Sequence, residues 1–288
     1  MSECKTIGGQ AVIEGVMMRS PELVSLAVRC PDGSIHVECK SATTIRDKYP
    51  ILGKPFLRGV VVLWESLRDG MVGLERSAQV SAEGTEAEMT KTETIGTVAI
   101  AVALAVGLFI VVPTWSMRFL HTFTADPLLL NLAEGLLRMA IFLAYVIGIS
   151  QMEDIRRVFQ YHGAEHKTIY TYEKGLPLIV ENVRPQSTLH PRCGTNFLMI
   201  VMLISMFVFA FFGWPNVWER IASRIILMPV IAGVSYEVIR FAGRNYDNGL
   251  VRALIMPGLL LQKVTTRQPD DDQIEVAIAA VKSALGEN

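Results

Sequence analysis

Two histidines one helical turn apart are the first residues in this sequence that could carry out chemistry. They belong to the string His162-Gly-Ala-Glu-His166, inside residues 152–174, whose pattern predicts a helix ending at Gly175-Leu-Pro177. On a helix the two imidazoles share a face and could bind one metal ion. Glu165 could act as a general base on a metal-bound water or be a ligand itself. The string fits the H-x-x-E-H pattern of the inverted zincins, and an ordinary polar helix near a membrane is the alternative.

A second string, His190-Pro-Arg-Cys-Gly194, adds two residue types that bind Zn²⁺. Its proline and glycine form a turn that could present His190 and Cys193 to the histidine pair. Alternatively, the turn only shapes the entry to an apolar segment, and Cys193 is a small buried hydrophobe.

A third candidate is Glu237, in Ser235-Tyr-Glu237 near the end of another apolar segment. An ionisable group in such a place is costly and usually has a partner or a function. An ion pair with Arg240 is the structural alternative. Four protein ligands would form a closed structural site, and three ligands with a water would form a catalytic one. We therefore expect a divalent metal ion, with Zn²⁺ preferred, with Glu165 as the catalytic residue and these candidate ligands: His162, His166, His190, Cys193 and Glu237.

The apolar residues that must position these groups are concentrated after residue 94. Of the 288 residues, 51% are hydrophobic and 19% charged, and the mean hydropathy is +0.36. These values are typical of membrane spans joined by polar segments. A span takes about 17–25 residues, and we expect four, at about 95–112, 128–150, 196–214 and 225–239. Buried core helices of a soluble protein are the alternative.

Positive charge predicts how the spans are oriented. The loop 151–194 between the second and third spans is rich in Lys and Arg, whereas the flanking loops contain only Arg118 and Arg220. This asymmetry predicts that the histidine-containing loop is cytoplasmic. With an even number of spans, both termini are cytoplasmic as well, and we expect a multi-pass protein of the inner membrane. The short apolar segment 254–261 contains Pro257-Gly258 and is expected to be re-entrant or interfacial.

The polar segments predict a small β-rich domain at 1–54 and several helical additions. Alternating residues at 25–29 and 34–38 flank the turn Pro31-Asp-Gly33, which indicates a hairpin. The glycine-rich segment 8–19 either packs under this hairpin or lines a site. We also expect an amphipathic helix at 55–80, which lies on the membrane or on the hairpin, and an acidic linker at 81–94. The segment 263–288 is expected to be a cytoplasmic tail with a short amphipathic helix.

Composition excludes some functions and leaves three open. A net charge of -1 gives no electrostatic footprint for nucleic acid, and four cysteines are too few for a disulfide framework. The first hypothesis is a metal-dependent hydrolase, and the second is a non-enzymatic scaffold or assembly factor with a protein partner at the cytoplasmic face. The third is a transporter or channel that uses Glu134, Arg138 and Glu237 within the bilayer.

Four strings together resemble one family. They are Gly8-Gly-Gln-Ala-Val-Ile-Glu-Gly-Val-Met-Met-Arg19, Tyr161-His-Gly-Ala-Glu-His-Lys167, His190-Pro-Arg-Cys-Gly-Thr195 and Ser235-Tyr-Glu237. They are similar to the YqhQ-like family, a domain-of-unknown-function family of bacterial multi-pass membrane proteins. The resemblance implies a mainly α-helical polytopic fold with about four transmembrane helices and a small β-containing cytoplasmic domain. It also implies the activity with which that family is labelled, a predicted metal-dependent enzyme.

Overall fold

A four-stranded antiparallel sheet opens the fold. The computed structural model describes residues 6–82, 91–246 and 248–287. Strands β1 (Gly8–Val12), β2 (Gly15–Arg19), β3 (Leu23–Arg29) and β4 (Ile35–Ser41) pair in chain order. The predicted hairpin is the β3–β4 pair, with Gly33 at a positive φ of 85° in its turn. The glycine-rich segment supplies the two other strands, so that it continues the sheet.

Both faces of the sheet are covered by helices. Side chains alternate along a strand, so Val16 and Met18 of β2 face one side and Met17 faces the other. The first side packs against α11 (Asp271–Leu285) and the second against Val80 at the end of α2 (Leu57–Ser81). Asp270 begins α11 with a capping box that includes Gln273. The sheet, α2 and the tail helix therefore form one module, here called the sheet module.

Long apolar helices form the second part of the fold. Within the described residues, three helices are long and apolar enough to cross a membrane: Gly96–Leu120, Pro127–Ile149 (α5) and Val217–Arg244 (α9). The first lies within a continuous helical stretch made of α3 (Lys91–Val106), a π-helical turn (Gly107–Val111) and α4 (Val112–Leu120). A further apolar helix, α8 (Gly194–Ala210), has 17 residues. The mainly helical fold with an N-terminal sheet is thus as predicted.

The helix boundaries differ from those expected from composition. The first long helix continues past residue 112 to Leu120, because Pro113 lies in the first turn of α4, where its missing N–H is tolerated. Segment 254–261 is helical throughout, as the middle of α10 (Gly249–Thr265), whose Ile255 and Leu259 pack among α8 and α9. Residues 83–90 of the expected acidic linker lie outside the described residues.

Short and polar helices complete the chain. They are α1 (Ile45–Lys48), a 3₁₀ turn (Pro50–Gly53), α6 (Glu153–Glu173) and α7 (Val180–Val183). Helix α2 joins the two parts, since its first half packs on α9 where Gly59 approaches Gly233. A Cβ on Gly59 would lie 3.0 Å from the Gly233 Cα, so only a residue without a side chain permits this approach.

Candidate metal centre

Helix α6 is polar in sequence, yet its central part is buried. It lies beside strand β1 and helix α11, and residues 163–169 are all buried. Gly163 allows the chain before α11 to approach, because a Cβ there would lie 2.0 Å from the Arg267 carbonyl oxygen. The Arg267 N–H in turn donates to the Phe159 carbonyl at 2.8 Å. The histidine pair therefore lies inside the protein and not on an exposed polar face.

Three side chains converge at this position. His162, His166 and Cys193 each offer one ligand atom, and these atoms lie within 4.8 Å of one another. Nε2 of His162 is 3.1 Å from Sγ of Cys193, and the two imidazole centroids are 4.4 Å apart. Cys193 is the N-cap of α8, where its sulfur accepts the Thr195 N–H at 3.4 Å.

Backbone carbonyls fix the tautomer of both imidazoles. Nδ1 of His162 lies 2.8 Å from the Thr265 oxygen, and Nδ1 of His166 lies 2.5 Å from the Thr188 oxygen. A carbonyl can only accept, so each Nδ1 carries the hydrogen and each Nε2 presents a lone pair. Metal-ligating histidines are commonly oriented in this way.

One of these lone pairs has no hydrogen-bond partner among the described residues. It belongs to Nε2 of His166, whose side chain is 1% exposed. Leaving a buried polar atom unsatisfied costs about 1–3 kcal/mol. Burial lowers the pKa of His166, with Cys193 acting against it. The imidazole is thereby kept neutral, as a metal ligand must be.

Glu165 is buried next to the convergent set, but it faces the sheet. The Gly9 N–H of β1 donates to its carboxyl group, and a Cβ on Gly9 would lie 3.2 Å from Oε1. Its Oε2 has no hydrogen-bond partner among the described residues. Burial raises the pKa of Glu165, whereas His162, His190 and the Gly9 N–H favour the charged form. The carboxyl group is therefore suited to hold and release a proton.

His190 lies beside the convergent set and outside it. Its ring centroid is 5.7 Å from that of His166, its Nε2 is 3.5 Å from a Glu173 oxygen, and its Nδ1 accepts the Arg192 N–H at 3.3 Å. Burial lowers the pKa of His190 to about 4, with Glu165 opposing. The fully buried Gln262 holds the backbone of His190 through bonds of 2.8 and 2.9 Å.

Glu237 is in another part of the molecule. Its oxygens pair with Nε and Nη2 of Arg58 at 2.7 and 2.5 Å, and one accepts the Phe56 N–H at 3.4 Å. The pair joins α2 to α9. The sequence suggested Arg240 as the ion-pair partner of Glu237, but the partner is Arg58, which lies 179 residues away in sequence.

The contacts that orient the ligands were missed by sequence reasoning. The carbonyls of Thr188 and Thr265 carry no sequence signal, because every residue has one. Gln262 did offer a signal, since it is a lone amide that follows Leu259-Leu-Leu261 in an apolar helix. Gly9 belongs to the glycine-rich string, and only the fold shows that this string forms a strand whose backbone lies close to Glu165 of α6.

Comparison with known proteins gives a family without an assigned activity. A family model described as "Protein of unknown function (DUF1385)" matches residues 54–287. The chain is 36% identical over 292 residues to the "Uncharacterized protein YqhQ" of Bacillus subtilis (strain 168), with 96% of this chain and 92% of the relative covered. No solved structure matches. The function must therefore be inferred from the site itself.

Proposed function

The chain belongs to the DUF1385 family of proteins of unknown function, and we propose that it is a multi-pass membrane protein that holds a Zn²⁺ ion and uses it for hydrolysis. The ligands are His162, His166 and Cys193, and Glu165 is the acid–base residue. The observation that carries the proposal is the buried His166, which offers a ligand atom within 4.8 Å of those of His162 and Cys193 and whose Nε2 has no hydrogen-bond partner among the described residues.

Exposed apolar surface supports the membrane location. Leu104 on the first long helix is 68% exposed, Phe119 is 74% exposed, and Ile226 on α9 is 71% exposed. Water would solvate such helix faces poorly, whereas lipid chains suit them. The long apolar helices therefore fit a bilayer better than an aqueous surface.

Chain topology supports four crossings. The sheet precedes the long helices, α6 lies between α5 and α8, and α11 follows α10, yet all three pack together. For all three to lie on one side, the chain must cross the membrane an even number of times between the sheet and α6, and again an even number of times between α6 and α11. Helices α8 and α9 supply the second pair, and α10 lies at the interface. The Lys and Arg residues of 151–194 favour the cytoplasmic side of the inner membrane for the sheet module and both termini.

The donor set fits zinc. Two imidazole nitrogens and a thiolate are ligands that Zn²⁺ prefers, and three protein ligands leave one tetrahedral position for water or substrate. When bound, Zn²⁺ would lower the pKa of a coordinated water to roughly 7. The carbonyls of Thr188 and Thr265 would hold the imidazoles in the required tautomer.

Glu165 is suited to moving the proton. The Gly9 N–H holds one side of its carboxyl group, and Oε2, which has no hydrogen-bond partner in the part of the chain that the structure describes, could accept a proton from water and return it to the leaving group. Burial favours the protonated form, so that the proton is retained between the two transfers. The site lies where the membrane helices meet the sheet module. We therefore favour membrane-proximal peptide segments or lipid-like molecules as substrates.

A structural metal is the second candidate, and burial favours it. Glu165 is 4% exposed and His190 is 4% exposed, so a substrate would need an opening of the site. In this case the ion would fasten α6 to the start of α8, and the protein would act as a scaffold.

Metal analysis of the purified full-length protein tests the proposal. We expect about one zinc per chain in the wild type and a loss of at least tenfold in His166→Ala, while His36→Ala, on β4, retains the wild-type value. Absence of stoichiometric transition metal in the wild type would refute the site. Glu165→Gln separates the two candidates, because a hydrolase would retain zinc and lose turnover of ester and peptide substrates, whereas a scaffold would keep its partner binding.

A further inference from the structure

A second cluster of charge lies among the apolar helices, away from the metal ligands. Glu134 on α5 is 0% exposed, and three guanidinium groups surround it. Arg138 and Arg224 reach Oε1 at 2.8 and 2.5 Å, and Arg220 binds Oε2. We call these four residues the arginine cluster.

The arginine cluster has two positive charges in excess. Its other contacts are uncharged, since Thr114 donates to Glu134 at 2.9 Å and the Phe109 carbonyl accepts Nε of Arg138 at 2.9 Å. Phe109 lies in the π-helical turn, where the backbone bonding pattern is altered. Arg220 also stacks 3.7 Å from the Trp214 ring centroid. One carboxylate is therefore shared by three cations.

The nearby chain ends do not balance this charge. Asp126 and Glu219 lie at the same ends of α5 and α9, but both are exposed, and Asp126 caps α5. Arg118 at the end of α4 is exposed and adds further positive charge. An unbalanced charge in a low-dielectric region is costly unless a counter-ion is present.

An unpartnered donor also indicates a missing group. Nε of Arg220 is buried and has no hydrogen-bond partner among the described residues, although the same guanidinium binds Glu134 through Nη2. Arg220 itself is 6% exposed. A buried guanidinium N–H is normally satisfied, so this atom is available for an additional acceptor.

The arginine cluster lies about two helical turns from the starts of α5 and α9, at the same end of both helices. Glu134 follows the first residue of α5 by seven residues, and Arg224 follows the first residue of α9 by seven, which is about 10 Å along each axis. The side chains of Arg138 and Arg224 are 21% and 12% exposed, so the cluster is reachable from outside. Guanidinium groups bind phosphate oxygens in a bidentate, charge-assisted manner.

We infer that the arginine cluster binds a phosphate-type oxyanion, supplied by the headgroup of an anionic phospholipid or by free phosphate. The anion provides the missing negative charge and accepts from the unpartnered donor of Arg220. This inference rests on the membrane location proposed above and is independent of the metal.

The test measures anion binding by the full-length protein in neutral detergent and in nanodiscs. In detergent, inorganic phosphate should raise the melting temperature more than chloride at equal ionic strength. In nanodiscs, phosphatidylglycerol should remain bound in native mass spectrometry where phosphatidylcholine does not. Binding in the first arm identifies free phosphate as a source, and binding in the second identifies lipid; either supports the inference.

Arg224→Gln is the informative variant, because it leaves Glu134 paired with Arg138 and Arg220 and should therefore fold. We expect it to weaken anion binding at least tenfold, while Arg118→Gln at the same end changes binding less than twofold. Zinc content measured on the same samples keeps this test separate from the metal proposal. Equal effects of phosphate and chloride, together with no preference for phosphatidylglycerol, would overturn the inference and leave the arginine cluster as a purely structural ion network.

Discussion

Replacement of Cys193 by alanine should reveal how much of the stability depends on metal. Without metal, the contacts of the sulfur are weak and include the Thr195 N–H and hydroxyl at 3.4 and 3.1 Å and Nε2 of His162 at 3.1 Å. Losing this N-cap should cost about 1 kcal/mol in protein treated with a chelator. With zinc at a thousand times its dissociation constant, binding adds about 4 kcal/mol to the wild type, and the variant loses this as well.

The assay is thermal unfolding of the full-length protein in detergent, with chelator or with zinc. One kcal/mol corresponds to about 2–4 °C in a chain of this size class. We expect Cys193→Ala to lower the melting temperature by about 2–4 °C with chelator and by about 10–20 °C with zinc. Cys39→Ala is the matched control, since this exposed thiol on β4 donates a weak hydrogen bond to the Ser283 carbonyl, at 3.6 Å. An equal loss with and without zinc would refute the metal-binding role of Cys193.

Three further predictions follow from the same contacts. Burial lowers the pKa of His190 from 6.5 to about 4, so its contribution to stability is complete above pH 6.5 and is lost as the pH falls toward 4. In metal-free protein we expect His190→Gln to remove about 2–3 kcal/mol of the difference in unfolding free energy between pH 7.5 and 4.5. An unchanged dependence of stability on pH would contradict this. Glu237→Gln should keep the full zinc content and lose about 1 kcal/mol, since the ion pair with Arg58 is partly exposed; zinc content reduced by half would instead make Glu237 a ligand. Gly163→Ala should destabilise the protein by about 1–3 kcal/mol, because the new Cβ would lie 2.0 Å from the Arg267 carbonyl oxygen. Gly148→Ala, where nothing lies within 4 Å of the new Cβ, should not. Equal melting temperatures for the two variants would show that the backbone at Arg267 moves away without cost.

Local periodicity explains which parts of the site could be predicted from sequence. The four-residue spacing of His162 and His166 requires only that residues 152–174 be helical, and α6 spans Glu153–Glu173. Cys193 could be nominated because a proline and a glycine flank it before an apolar helix. Neither inference needs to know where distant segments lie.

Long-range packing explains what could not be predicted. The partner of Glu237 is Arg58, and the partner of Glu165 is the backbone of Gly9. These contacts depend on how α2 meets α9 and how β1 lies beside α6, which no local pattern encodes. The same holds for α10, where packing on α8 and α9 keeps residues 254–261 helical although Pro257 locally disfavours a helix.

The metal ligands and the arginine cluster are at opposite ends of one helix, and this separation leads to a last prediction. Cys193 caps the start of α8, whereas Phe209 near its end packs against the Arg224 guanidinium, 5.6 Å from the ring centroid. Sixteen residues of helix separate them, which is about 24 Å. Sites without shared contacts at more than about 10 Å usually contribute additively to stability.

The double variant Cys193→Ala/Arg224→Gln should therefore lose the sum of the two single losses, to within about 0.5 kcal/mol. A coupling above about 1 kcal/mol would require α8 to shift as a rigid rod when zinc or the anion is removed, because a packed helix is the element that could carry a displacement over this distance. Thermal unfolding of the four proteins with zinc and phosphate present, and again with both removed, distinguishes the two cases. Additivity would mean that the two sites stabilise separate ends of the same bundle, whereas coupling that vanishes without the ligands would identify α8 as a link between the metal ligands and the arginine cluster.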